Sequence, residues 1–261
     1  MIKVNGDVVK VEHFPNGESK IAPFFLDGYD DVYIEMIYQS NDDLINLMFV
    51  KSFIDETYPR VYTVLDMRYI PYERMDRETK NQMFTSKYFG QFINSLGFGQ
   101  VIVFDPHSNV SVASIKNVYQ DDVAGVISCF CPDYDYIFFP DNGAKKKYAE
   151  ILDPMPVPYF YGDKHRDLDS GKITDYNVFN APDLNGKTVL IVDDLCVKGY
   201  TTLFAAKKLR ELGASKVVFY CSHCEPAIFE GELLTTNYVD EIYTTNSLIR
   251  DKHPKIHEID I

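Results

Sequence analysis

The stretch "VLIVDDLCVKGYTT", residues 189–202, sets four apolar residues before two adjacent aspartates, then a turn and two threonines. A short, continuous apolar run reads as a strand buried on both faces, and the turn before Thr201 and Thr202 reads as the start of a helix. Strands that alternate with helices in this way build parallel α/β sheets. Asp193 and Asp194 then stand at the carboxyl end of the strand, where such sheets bind ligands. Two carboxylates there can accept hydrogen bonds from vicinal sugar hydroxyls, and the loop amides with the threonine hydroxyls suit a phosphate. The stretch points to a phosphorylated sugar; an acidic strand end with a simple helix cap is the plainer alternative.

The same alternation extends to both sides. "DDVYIEMIY", "RVYTVLDMRYI" and "GQVIVFD" read as strands, separated by helices over "NDDLINLMFVKSFIDE" and "TKNQMFTSKYFGQFINSLG". Asn41 is the expected cap of the first helix. Met83, Phe84, Tyr88, Phe92 and Leu96 are the expected apolar face of the second. The pattern restarts with strands "YDYIFFPD", "KTVLIVDD" and "SKVVFYCSH" and helices "KKKYAEIL" and "TTLFAAKKLRELG". In the last helix Phe204 or Ala205, Leu209 and Leu212 recur at helical spacing, and Gly213 can end it. Together these predict an α/β protein of two units, each a parallel sheet flanked by helices, divided as residues 1–120 and 121–261. A β-hairpin turning at Asn5-Gly6 is expected at the start.

Bulk properties narrow the function. With 261 residues and 46% hydrophobic composition the chain can bury a substantial core. A net charge of −13 argues against nucleic acid as a partner, because a phosphate backbone needs a basic face. No apolar run approaches the length of a membrane span, and the opening "MIKVNGDVVK" lacks the apolar core of a signal peptide. The five cysteines, an odd number without a framework of spacings, suggest reduced thiols in a cytoplasm. Cys221-x-x-Cys224 and Cys129-x-Cys131 do not have the spacing of a structural zinc site, so zinc is not expected.

Further motifs follow one another in order. "HFPNGES", "IPYERMDR", "FDPHS", "FPDNGAKKK", "GDKHR", "VDDLCVKGYTT", "CSHC" and "YTTNS" each match, in turn, a segment of one enzyme family. The chain resembles the ribose-phosphate diphosphokinases (PRPP synthetases) from about Phe14 to its end, as a short, divergent member with type I phosphoribosyltransferase-like units. The resemblance implies that Phe14, Asn16 and Glu18 contact the adenine of ATP. Arg74, Arg77 and His107 would meet its phosphates. His107 and Asp141 would contact Mg²⁺, and Lys164 and Arg166, on a catalytic flexible loop, would stabilise charge on the transferring phosphoryl group. Asp193 and Asp194, with Lys198, Gly199, Tyr200, Thr201 and Thr202, would hold the ribose phosphate.

The implied reaction moves a diphosphoryl group from ATP to the anomeric hydroxyl of ribose 5-phosphate and releases AMP. A cytoplasmic homo-oligomer without nucleic-acid or membrane partners is implied with it. Departures cluster in the sugar loop. Val197 stands where the family has another acidic residue, and Lys198-Gly199-Tyr200-Thr201 replaces a run of small residues; Met75 replaces a glutamine. An added cation and aromatic ring suit an acceptor extended at its 5-position, such as ADP-ribose. Short synthetase-like proteins of phage nicotinamide-salvage genes connect that acceptor with NAD salvage. A phosphoribosyltransferase shares the aspartate loop without needing the ATP segments. A non-catalytic synthetase-like regulator is the other rival.

Overall fold

A computed structural model describes all residues except 132 and 167–172, together with the side chains outside 165–175. The chain forms two compact units, Met1–Asp121 and Asp122–Ile261.

The first unit opens with β1 (Ile2–Val4) and β2 (Asp7–Val8), an antiparallel hairpin. Its turn is Asn5-Gly6 with φ of 49° and 88°, the left-handed pair that a two-residue hairpin requires. A second hairpin, β3 (Val11–His13) and β4 (Ser19–Ile21), forms a small sheet of its own. Then follow β5 (Asp31–Met36), α1 (Asn41–Thr57), β6 (Tyr62–Asp66), α2 (Thr85–Ser95), β7 (Gln100–Val103), α3 (Asn109–Ala113) and β8 (Val118–Gln120). The main sheet has the order β2-β1-β5-β6-β7-β8, parallel from β5 onward. Val32, Ile34, Leu47, Ile54, Leu65 and Val103 form the heart of its core.

Two details of this unit differ from the sequence reading. The cap of α1 is Ser40, not Asn41; the Ser40 amide donates to Asp43 Oδ2 at 3.1 Å, so the acidic third position closes the first turn. The buried face of α2 is Ser86, Phe89, Gly90 and Ile93. Met83 and Phe84 precede the helix, Met83 and Tyr88 are exposed, and Phe92 and Leu96 only flank the core. Gly90 sets this phase, because a side chain there would run into Ser114.

The second unit contains α4 (Val123–Phe130), β9 (Tyr136–Phe139), α5 (Asn142–Ile151), β10 (Tyr159–Arg166), β11 (Ile173–Phe179) and β12 (Thr188–Cys196). It continues with α6 (Tyr200–Glu211), β13 (Lys216–Cys224), a 3-10 turn at Pro226–Glu230, β14 (Glu241–Thr245) and β15 (Ile256–Ile259). The strand order is β11-β10-β9-β12-β13-β14-β15, with every neighbour parallel except β11. Central β12 is buried on both faces from Val189 to Val192, the pattern that a covered parallel strand demands.

Helix α6 packs inward through Thr202, Ala205, Ala206 and Leu209. Phe204 and Leu212 lie on its exposed flanks, because the two alanines, not the larger residues, form its buried stripe. Gly213, with φ of 101°, ends the helix. The carboxyl end is held by Arg210, which donates to the Tyr238, Ala214 and Ser215 carbonyls and pairs with Asp240. Among the described residues no helix is long and apolar enough to cross a membrane.

Candidate functional site

In the second unit the carboxyl ends of β9 and β12 and the length of β10 bring four predicted residues together. Asp141 caps α5, its Oδ1 accepting the Ala144 amide at 2.9 Å. Its Oδ2 pairs with Lys164 Nζ at 2.6 Å. Burial alone would raise the Asp141 carboxyl, but the Lys164 ammonium and the Ala144 and Gly143 amides outweigh it and hold the group below the ordinary carboxylate range. Asp193 behaves oppositely. Desolvation, reinforced by the negative charges of Asp194 and Asp141, pushes its carboxyl well up, although it accepts the Asp194 amide at 3.0 Å. Asp194 pairs with Lys147 at 3.6 Å. The site thus alternates carboxylates with lysines, one acid depressed and its neighbour raised.

Lys164 is where the structure departs from the expected loop. "GDKHR" is the second half of strand β10, and Lys164 stands opposite Tyr176 on antiparallel β11. The segment reads Tyr-Phe-Tyr-Gly-Asp-Lys-His-Arg, and Phe160 and Gly162 share one side of the strand with Lys164, so the lysine continues an inward row. The Arg166 backbone ends β10; its side chain lies outside the described ones.

Beyond Asp194 the chain forms the loop expected from its sequence to hold a sugar phosphate. Gly199, at the start of α6, has φ of 73° and is packed against Leu233, so that a Cβ there would stand 2.6 Å from Leu233 Cδ2. Lys198 Nζ pairs with Glu230 at 2.7 Å, and its carbonyl lies against Gly231. Tyr200 and Thr201 begin α6, with Tyr200 51% exposed; Thr202 is buried. Helix N-terminal amides face the loop, as an anion requires.

Sequence reading missed two members of this site. Tyr176 donates its hydroxyl to the Pro140 carbonyl at 2.7 Å and thereby fixes the backbone just before Asp141. Lys147 is one of three consecutive lysines, and only the helical phase separates it from Lys145, which lies 3.7 Å over the Tyr161 ring.

In the first unit Phe14, Asn16 and Glu18 occupy the tip of the β3–β4 hairpin. The Phe14 amide donates to the Glu18 carbonyl at 2.9 Å, and Asn16 Nδ2 donates to Glu18 Oε2 at 2.8 Å, leaving the Phe14 ring exposed. Arg74, Arg77 and His107 are exposed elsewhere in the unit. The His107 amide donates to buried Glu73 at 2.9 Å. Asp76 also ties the two segments together. Its own desolvation is outweighed by hydrogen bonds from Ser108 and Arg77 and by His107, and its carboxyl is lowered.

Comparison with known proteins follows the same lines. Residues 144–233 match the phosphoribosyl transferase domain family, a span from α5 through the sugar loop. The ribose-phosphate pyrophosphokinase of Sulfolobus acidocaldarius is 28% identical over 256 residues, covering 94% of this chain and 86% of the relative. That of Pyrococcus abyssi is 28% identical over 263 residues, covering 95% and 87%. The crystal structure of a phosphoribosylpyrophosphate synthetase from Mycobacterium smegmatis superposes with a TM-score of 0.72 at 20% identity, covering 97% of this chain and 86% of that one. At that identity the superposition establishes the fold. The resemblance carried by the ordered motifs holds along nearly the whole chain.

Proposed function

The chain is a relative of the ribose-phosphate pyrophosphokinases, and from that premise we propose that it is a diphosphokinase. It transfers the β,γ-diphosphoryl group of ATP to the anomeric 1-hydroxyl of ribose 5-phosphate or of a 5-substituted relative such as ADP-ribose, and AMP leaves. The observation that carries this reading is the β12 end, where Asp193 and Asp194 run into a left-handed glycine and the amino end of α6, beside the Lys164–Asp141 pair.

Each residue has a physical task. Asp194, and Asp193 where it is ionised, accept from the ribose hydroxyls. The loop amides and Thr201 and Thr202 take the 5-phosphate. Lys164, with Arg166, neutralises charge that grows on the transferring group, and the rest is alignment of the 1-hydroxyl with the β-phosphorus. Phe14, Asn16 and Glu18 take the adenine, while Arg74, Arg77 and His107 take the nucleotide phosphates. Mg²⁺ prefers ionised oxygen, which the depressed Asp141 carboxyl suits; Asp141 and His107 are the residues that the sequence motifs assign to hold it. Bound there, the ion would neutralise phosphate charge. Lys198 and exposed Tyr200 favour the larger acceptor, which adds a second phosphate and a nucleoside within their reach. Such an enzyme would work in the cytoplasm as a homo-oligomer, and an ADP-ribose acceptor would place it in NAD salvage.

The test is incubation with ATP and Mg²⁺, offering ribose 5-phosphate and ADP-ribose separately, with mass spectrometry of the products. AMP and a diphosphorylated acceptor are expected. Conversion of ribose 5-phosphate alone removes the larger acceptor, and absence of AMP with both overturns the enzyme.

A further inference from the structure

Strands β12 and β13 pair in parallel with Asp193 opposite Cys221 and Cys196 opposite Cys224. This register brings Cys196 to Cys221 and Cys224. Their Sγ atoms all lie within 4.8 Å of one another, and the residues are 2%, 0% and 0% exposed. Cys129 and Cys131 stand apart as exposed and half-buried thiols. A zinc-type ion at its usual 2.3 Å from sulfur places neighbouring sulfurs about 3.8 Å apart in a tetrahedral set, so the cluster is of the right size. The Glu225 carbonyl oxygen, 3.9 Å from Cys224 Sγ, stands beside it.

We propose that Cys196, Cys221 and Cys224 bind a soft divalent cation of the Zn²⁺ and Cd²⁺ class at the strand ends from which the sugar loop departs. Thiolate ligands select soft ions and reject Mg²⁺, which takes oxygen, so this site is chemically separate from any metal carried by ATP. Ligating sulfurs must be deprotonated, so binding M²⁺ to the three thiols releases three protons and gives M(SR)₃⁻. The bound ion would tie β12 to β13 where the Glu225 amide already donates to the Cys196 carbonyl at 2.8 Å. Spacing within the sequence conceals this site, since Cys221-x-x-Cys224 acquires its third ligand only from the neighbouring strand.

The full, reduced chain is titrated with Cd²⁺ in excess Mg²⁺, following the ultraviolet thiolate-to-metal charge-transfer band, and bound metal is measured after desalting. One ion per chain is expected, with a raised thermal midpoint. The band should survive in the C129A/C131A variant and disappear in C196A. Should C196A not fold, the wild type and C129A/C131A still decide. A wild type without the band, or a band that is lost in C129A/C131A, overturns the proposal and leaves the three thiols as core packing.

Discussion

Gly199→Ala isolates what the sugar loop demands of its backbone. The left-handed conformation, φ of 73°, costs a residue with a Cβ about 1–2 kcal/mol. The new methyl group would also meet Leu233 Cδ2 at 2.6 Å and Leu233 Cβ at 3.0 Å. Leu233 is fully buried, and rotation cannot move its own Cβ, so overpacking adds about 1–3 kcal/mol. The combined loss is roughly 2–5 kcal/mol, or about 4–20 °C in thermal midpoint for a chain of this size. Thermal unfolding by circular dichroism measures it, with exposed Tyr200→Ala as a neighbour expected to change stability by no more than about 0.5 kcal/mol. Combining Gly199→Ala with Leu233→Ala removes the Cδ2 clash but leaves the Cβ contact and the backbone cost, so the double variant should recover part of the overpacking, about 0.5–2 kcal/mol, relative to the sum of the singles. A Gly199→Ala protein that melts with the wild type, or a strictly additive double variant, would refute this account of the loop.

Other expectations are quickly put. Lys164→Ala should lower kcat roughly a hundred- to a thousandfold with a much smaller change in KM, since its charge is needed most as the phosphoryl group moves; steady-state kinetics with ATP show whether the losses separate. Asp193→Asn should abolish turnover while stabilising the fold. The folded-state carboxyl is raised, so its stabilising contribution is complete below the ordinary value of about 4 and is lost as pH rises through the raised one. Denaturant unfolding across pH should show that decline in the wild type and its absence in the variant. Tyr176→Phe should cost about 1–3 kcal/mol, because the Pro140 carbonyl loses its buried donor, and should weaken activity through Asp141; equal stability would contradict the hydrogen bond. Glu230→Gln frees Lys198 and should lower KM for an acceptor with two phosphates more than for one with a single phosphate; an equal change for both would separate Lys198 from acceptor choice.

Much of this architecture is written in local pattern. Val189–Val192 could only be a covered strand, Asn5-Gly6 could only be a tight hairpin turn, and Gly213 marks the end of α6 where it was expected. The errors arise where tertiary contact overrides spacing. Gly90 presses against Ser114 and turns α2 away from Met83 and Tyr88. Ala205 and Ala206 form the buried stripe of α6, which a preference for large apolar residues assigned partly to Phe204 and Leu212. The family resemblance implies a flexible loop at "GDKHR", but antiparallel pairing with β11 extends β10 through it. The candidate site was legible wherever its residues are contiguous, as in Asp193-Asp194. Lys147 and Tyr176 were hidden because their roles come from a helical phase and a neighbouring strand.

Arg210 has a consequence for how this protein can diversify. By gripping three carbonyls and Asp240 it makes α6 a cantilever, fixed at the carboxyl end and bearing its load at the amino end. A beam held in that way does not slide to accommodate a bulkier guest. Accommodation must fall to the side chains of Val197 and Lys198, ahead of the helix, while the alanine stripe keeps its registration on the sheet. Val197 and Lys198 can therefore be exchanged to suit a different acceptor without disturbing the beam behind them.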